Sequence, residues 1–274
     1  MPPFSVLMSV YKHEKPSFLD RALQSCVEQT LCPSEIVLIQ DGPLTDGLND
    51  VVRKWKILLG NTLNPIDLPQ NVGLGAALNK GLEYCTYEYL ARMDSDDICY
   101  PERFSQQIEY IKKNKHIQVV GGYISEFQKD EEMISGIRRV PLDHSDIAKR
   151  VRFRSPMNHV TVIFRKSLVK AVGGYRIPWP GRDHDLWLKL VHYGAIFANI
   201  PELLVKVRTG GEQLSRRGGW PFYRGEMKLH YDFYQNGLIN RCELIRNILV
   251  RTGVRLLPIF LLKQFYRINR KYFS

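Results

Sequence analysis

Three carboxylates, Asp94, Asp96 and Asp97, follow directly on the apolar and aromatic run Tyr87-Glu-Tyr-Leu-Ala-Arg-Met93. Like charges about 4 Å apart in a partly desolvated site repel by roughly 4 kcal/mol. That is large against the about 5–15 kcal/mol that holds a whole domain together. A hard divalent cation relieves the repulsion, and Mg2+ and Mn2+ bridge one or two carboxylates to a ligand phosphate. An Asp-x-Asp at the carboxyl end of a buried strand is thus equipped to hold a metal–nucleotide complex. The same tripeptide also makes an ordinary solvated acidic turn, so the surrounding segments decide.

Those segments carry further reactive groups. Asp41 ends a short apolar run at Asp41-Gly-Pro43, and its carboxylate suits either a base imide or the turn itself. Tyr11 ends the first apolar run, where it can stack on a base or simply pack. Asn71 and Gly73 open a helical pattern, and a helix amino terminus attracts phosphate. Asp183 begins another helix, either as a proton acceptor or as the acid that its dipole favours. Arg208, Arg216 and Arg217 can grip diphosphate oxygens bidentately or line a solvated loop. His159 and His184 lack ligand spacing.

Positioning these groups requires alternating strands and helices, the pattern of an α/β sheet with parallel strands. Strands are expected at Phe4–Val10, Glu35–Gln40, Thr62–Leu68, Tyr87–Met93 and Ile117–Phe127, the last interrupted by Gly121-Gly122. Helices are expected after Ser17, through Val51 to Trp55, over Gly73–Tyr84, around Phe104–Ile111, and from near Asp183. Ligands of such sheets bind beyond the carboxyl ends of the strands. Tyr11, Asp41 and Asp94-Ser95-Asp96 all fall there, so a single crevice could collect them.

The chain has 274 residues, enough for one large core or two modest ones. Five scattered cysteines without Cys-x-x-Cys or Cys/His spacing suggest free thiols and a reducing compartment. Neither a signal peptide nor a spanning segment of about 20 apolar residues is read. The net charge of +11 fits nucleic acid, an anionic membrane or a phosphorylated substrate. No helix-turn-helix, zinc-finger or RNA-binding aromatic signature supports nucleic acid. Ile239–Ser274 holds eight Lys or Arg against one acid, Glu243, interleaved with apolar residues and broken near Pro258. That reads equally as basic amphipathic helices on an anionic leaflet or as packed helices with a solvated basic face.

In order along residues 4–215, the motifs resemble those of family 2 glycosyltransferases of the GT-A fold. The pieces are Ser5-Val-Leu-Met-Ser-Val-Tyr11, Ile39-Gln-Asp-Gly42, Asn71-Val-Gly-Leu-Gly-Ala-Ala-Leu-Asn-Lys-Gly81, Arg92-Met-Asp-Ser-Asp-Asp97 and Gly181-Arg-Asp-His-Asp-Leu-Trp187. The subgroup most similar extends O-antigen or exopolysaccharide (amylovoran-type) repeat units on a lipid diphosphate.

The resemblance implies a Rossmann-like mixed, mostly parallel sheet flanked by helices. It also implies a catalytic domain over 1–215, split into a donor half (1–127) and an acceptor half (128–215), and a basic helical region over 216–274. It implies donor contacts from Val10, Tyr11, Asp41, Asn71, Gly73, Arg92, Asp94 and Ser95. Asp96, with Asp94, would hold Mn2+ or Mg2+, Asp183 would be the base, and His159, Asp185, Trp187, Arg208, Arg216 and Arg217 would face the acceptor or a diphosphate. Asp97 is expected to cap a helix before Pro101; Trp187 is expected to pack or to contact a sugar.

The implied reaction is inverting transfer from a UDP-sugar to a polyprenyl-diphosphate-linked saccharide, at the cytoplasmic surface of the bacterial inner membrane. Two positions depart from the pattern. Arg182 replaces the acid before the base, and Gly210 stands where many relatives carry a His that completes the metal shell. The second change leaves the metal with an extra water or with weaker binding. A sugar-phosphate nucleotidyltransferase is the nearest rival, but those enzymes open with a Gly-rich loop, whereas the first strand here runs into Tyr11-Lys-His-Glu-Lys15. A basic membrane adaptor or nucleic-acid-binding protein is the non-enzymatic alternative.

Overall fold

The computed structural model describes residues 1–177, 182–210 and 220–256, without the side chains of Arg182, Pro221 and 254–256. Its first half alternates β1 (Phe4–Val10), α1 (Pro16–Val27), β2 (Glu35–Gln40), α2 (Asp46–Leu59), β3 (Leu63–Asp67), α3 (Leu74–Tyr84) and β4 (Tyr89–Asp94). Then come β5 (Ile98–Cys99), α4 (Arg103–Lys113), β6 (Val119–Phe127), β7 (Ile134–Arg138), α5 (His144–Val151), β8 (Ile163–Arg165), α6 (Lys166–Ala171), α7 (Arg182–His192) and β9 (Phe197–Arg208). Two helices follow, α8 (Trp220–Gln235) and α9 (Arg241–Leu256). The expected strands and helices of the first 127 residues all form, with ends shifted by one or two residues. The short strands β5, β7 and β8 carried too little periodicity to be read from the sequence.

Among the described residues one nine-stranded sheet runs β3-β2-β1-β4-β8-β6-β9-β5, with β7 beside β6. The βα crossovers make β1, β2, β3 and β4 parallel, while β8 enters antiparallel against β4 and β6. The long pair β6/β9 is parallel, and β5 and β7 are antiparallel additions. Central β1 is apolar on both faces because helices cover both. Phe4, Val6, Met8 and Val10 pack with α1, α2 and α4. Leu7, on the other face, packs with α3 and, through Leu90, Val119 and Phe164, with α5 and α7. The division of β1 between two cores is the two-residue period of a strand.

The α3 helix lies unusually near the sheet. A Cβ on Gly81 would fall 2.2 Å from Leu7 Cδ1 and 3.1 Å from Ile39 Cγ1. That approach holds the amino end of α3 over the carboxyl ends of β1 and β2. On helix propensity alone, Gly81→Ala should stabilise by about 1 kcal/mol. We expect instead a net loss of roughly 1–3 kcal/mol from overpacking, measured by urea unfolding; a gain would show that α3 can move off the sheet.

Candidate active site

The register aligns three strand ends. Ser9 of β1 lies opposite Asp94 of β4, and Val10 opposite Gln40 of β2, so the chain leaves all three strands along one edge. Val10 is buried in the core, and its carbonyl accepts the Asp41 N–H at 2.8 Å. Its side chain is thus spent in the core, and its backbone sets the start of the Asp41 loop. Half-buried Tyr11 comes next, its ring edge-on to His13 at 5.5 Å between centroids.

Asp41 is the hub of a loop latch. Its buried carboxylate accepts the Val72 N–H at 2.7 Å, the Gly73 N–H at 3.0 Å and Asn71 Nδ2 at 3.1 Å. Gly42, at φ +86°, permits the approach: a Cβ there would lie 2.6 Å from the Asn71 amide nitrogen. In this arrangement the carboxylate fixes the loop that starts α3. Asn71 is likewise engaged, and Gly73, at φ +83°, precedes the first residue of the helix.

The acids after β4 are unequal. Arg92 is fully buried; it pairs with Asp94 and reaches Leu7 O at 3.4 Å. Its side chain is fully enclosed, so it braces Asp94 and is not itself open to a ligand. Ser95, also buried, donates to Glu14 Oε2 at 2.9 Å. Burial first, and then the charges of Asp94 and Glu14, push the Asp96 carboxyl up to about 7. Glu14 is thus a fourth acid at the cluster, beside Asp94, Asp96 and Asp97, which motif reading missed. Its signal was positional, since it sits in the loop leaving β1 at the same sheet edge.

Carboxylate oxygens held against their own repulsion suit a hard cation. Among the described residues no three acidic, His or Cys side chains converge closely enough to chelate one alone. A cation on Asp96 and Asp94 would complete its shell from phosphate oxygens and water, as Mg2+ usually does.

Asp97 does not cap a helix. It is buried, and its Oδ1 accepts the Arg208 N–H at 2.8 Å, tying the end of β9 to the acid turn. The β4–β5 turn sends this side chain toward β9, and α4 starts after Glu102 with no side-chain cap. Burial first, and then Asp96 and Asp94, raise its carboxyl well above the usual range. The Arg208 guanidinium lies between the rings of Phe18 (3.8 Å) and Phe127 (4.6 Å), and its Nε donates to Asp96 O at 3.2 Å. Arg208 therefore braces the acid turn itself. Gly210 follows two residues later.

Asp183 is half-buried in the first turn of α7, where the helix dipole favours its charge. Trp187 is fully buried against Phe197 and His159, so its role is packing and not sugar contact. Asp185 is also buried, in ion pairs with Lys189 at 2.7 Å and Arg176 at 3.5 Å. Arg176 also pairs with Asp232, so Asp185 ties α7 to α8, correcting its assignment to the acceptor. His184 meets Val151 O at 2.6 Å and packs on Phe233, a structural role. His159 Nε2 lies 3.0 Å from the Tyr175 hydroxyl. Asn79 of α3 clasps the Tyr175 backbone in both directions, at 2.7 and 2.9 Å, and so joins the latch helix to the segment before α7. Arg216 and Arg217 lie outside the described residues.

The three strand exits, the latched amino terminus of α3 and the buried acid turn lie along one edge of the sheet. Residues 5–173 match the family described as Glycosyl transferase family 2. The chain is 39% identical over 271 residues to the amylovoran biosynthesis glycosyltransferase AmsE of Erwinia amylovora, covering 98% of this chain and 99% of that protein. It is 38% identical over 257 residues to the UDP-Gal:alpha-D-GlcNAc-diphosphoundecaprenol beta-1,3-galactosyltransferase of Escherichia coli, covering 94% and 92%. Its fold is similar to that of S. aureus TarS 1-349 in complex with UDP-GlcNAc, with TM-score 0.68, 19% identity, and 91% and 72% coverage. The mixed sheet flanked by helices is the GT-A arrangement, and the chain belongs to glycosyl transferase family 2.

Proposed function

We propose that this glycosyltransferase is metal-dependent and inverting. It moves a hexose or N-acetylhexosamine from a UDP-sugar to a hydroxyl of a polyprenyl-diphosphate-linked saccharide, in O-antigen or exopolysaccharide assembly at the cytoplasmic face of the inner membrane. The observation that carries the reading is the shared edge of β4, β1 and β2, from which Asp94-Ser95-Asp96, Tyr11 and Asp41 leave the sheet together. Relatives in amylovoran and diphosphoundecaprenol-linked synthesis support the substrate class.

Each group has a task in this reading. The amino end of α3, set by Asp41, faces the nucleotide phosphates. Tyr11 lies against the base. Asp96, with Asp94, would hold Mn2+ or Mg2+; when bound, the cation offsets negative charge on the donor diphosphate and the departing UDP. Asp183 accepts the proton of the acceptor hydroxyl, which attacks opposite the leaving group and turns an α-linked donor into a β-linked product. His159, held by Tyr175, belongs to the acceptor half, 128–215; residues 1–127 form the donor half. Arg216 and Arg217 are assigned to a diphosphate of donor or acceptor.

A panel of UDP-sugars against sugar-diphosphate-lipid acceptors, with Mn2+, Mg2+ or EDTA, should release UDP with one donor and stop with EDTA. Release of sugar 1-phosphate in place of UDP would return the reading to nucleotidyl transfer. Asp183→Asn should keep UDP-sugar affinity and lose turnover by about 10²–10⁴-fold, the usual contribution of a general base. Near-normal turnover would remove Asp183 from that role.

The acid turn also predicts a pH effect on the metal-free protein. An acid whose folded pKa is raised, here to about 7 at Asp96, contributes stability that is present below its unfolded value of about 3.9 and is lost as pH rises through about 7. Thermal unfolding in EDTA should show the wild-type protein weakening from pH 6 to pH 8. Asp96→Asn should shrink that loss, and parallel profiles would refute the electrostatic account.

A further inference from the structure

The cationic excess near the end of the chain meets exposed apolar groups on one surface. The α9 helix buries Leu244 and Asn247, and Asn247 Nδ2 donates to Arg152 O at 2.8 Å. Arg152 in turn pairs with Glu243 at 3.2 Å, so one face of α9 is docked on the domain. Its other face exposes Ile245 (48%), Leu249 (66%) and Val250 (41%), with exposed Arg241 and Arg246 on the same helix. Three aliphatic side chains left in water on one helical face need a cover.

Beside them, a groove of about 380 Å³ runs between α5 and α9, lined by Asp146, Lys149, Arg150, Phe153, Arg246 and Val250. Its cations outnumber its acid by three to one. The guanidinium groups of Arg246 and Arg251 lie over the Phe153 ring at 5.2 and 5.5 Å. Trp220, 68% exposed, stacks on Tyr223 at 5.3 Å, and the Tyr223 hydroxyl meets Thr252 Oγ1 at 2.6 Å, less than one turn beyond Leu249. Past α9 the sequence 257–274 adds four cations and no acid.

Nucleic acid would use the cations and leave the aliphatic stripe in water. Protein interfaces deplete lysine and charge at their centre. Aliphatic side chains flanked by cations, with an amphipathic aromatic nearby, fit the interface of an anionic bilayer. No helix among the described residues is long and apolar enough to cross a membrane.

We propose that the outer face of α9 and its groove with α5 form a docking surface for anionic phospholipid. Ile245, Leu249 and Val250 enter the acyl boundary, while Lys149, Arg150 and Arg246 take the headgroup phosphate. The inference rests on the lipid-linked acceptor reading only for the presence of a membrane nearby.

The full chain should float with vesicles in which phosphatidylglycerol makes up about a quarter of the lipid, and not with phosphatidylcholine alone. Added salt should weaken the binding. Ile245→Asp with Leu249→Asp, and separately Lys149→Glu with Arg246→Glu, should each lower the partition coefficient by about tenfold or more. UDP release with a short-chain, detergent-soluble acceptor should stay at the wild-type level. Should either pair lower the melting temperature, Leu249→Gln with Arg246→Gln makes the same comparison with less disturbance. Equal binding to both vesicle types, or variants that float like wild type, would overturn the proposal. Loss of transfer to lipid-linked acceptors with flotation intact would strike only the functional reading.

Discussion

The structure depends on keeping several acids together at the end of one buried strand. Asp94, Asp96, Asp97 and Glu14 crowd the exit of β4, and burial raises the cost of charge on Asp96 and Asp97. The compensation comes from behind and from the side. Arg92 lies beneath the turn and pairs with Asp94. Arg103, buried in α4, donates to Arg92 O at 2.6 Å and to Cys99 Sγ at 3.2 Å, and so pins the backbone on either side of the acids. From β9, the Arg208 amide satisfies Asp97 and its guanidinium the Asp96 carbonyl. At Asp96 burial and the neighbouring acids outweigh the help of Arg208, so its carboxyl holds its proton up to about 7. The fold thus gathers acids at one strand exit and answers them mainly with buried arginines.

The sheet topology makes that gathering useful. Parallel β2, β1 and β4 present their exits side by side, and the close seat of α3, made possible by Gly81, aims a helix amino terminus at the same edge. The Asp41 carboxylate completes that arm by accepting two amides of the 71–73 loop. Asn79 then carries the order onward, from α3 to Tyr175 and so toward α7, where Asp183 stands. Besides the shared apolar core, this asparagine gives α3 a polar tie to the segment before α7.

Much of this was legible in the chain because it depends on local periodicity and on short motifs. The first four strands, the helices between them and the Asp-Ser-Asp turn follow from apolar spacing and abrupt polar stops. Roles set by distant partners were not legible. Asp97 looked like a helix cap, since nothing local announces that Arg208, over a hundred residues later, will donate to it. The motif left Trp187 either to pack or to meet a sugar and did not say what Asp185 would bind; the turn of α7 buries one against Phe197 and pairs the other with Arg176. Glu14 carries no motif at all and becomes part of the site only because β1 and β4 are neighbours.

The residue order alone therefore determined the alternating α/β plan, the family likeness and the chemical types available to the site. Those properties follow from near-neighbour spacing, which any stretch of the chain displays by itself. Tertiary structure decided which acid stays strained, which arginines are spent on the turn, and which face of α9 remains uncovered. Each of those outcomes depends on desolvation, and a side chain loses its water only when segments remote in sequence close over it.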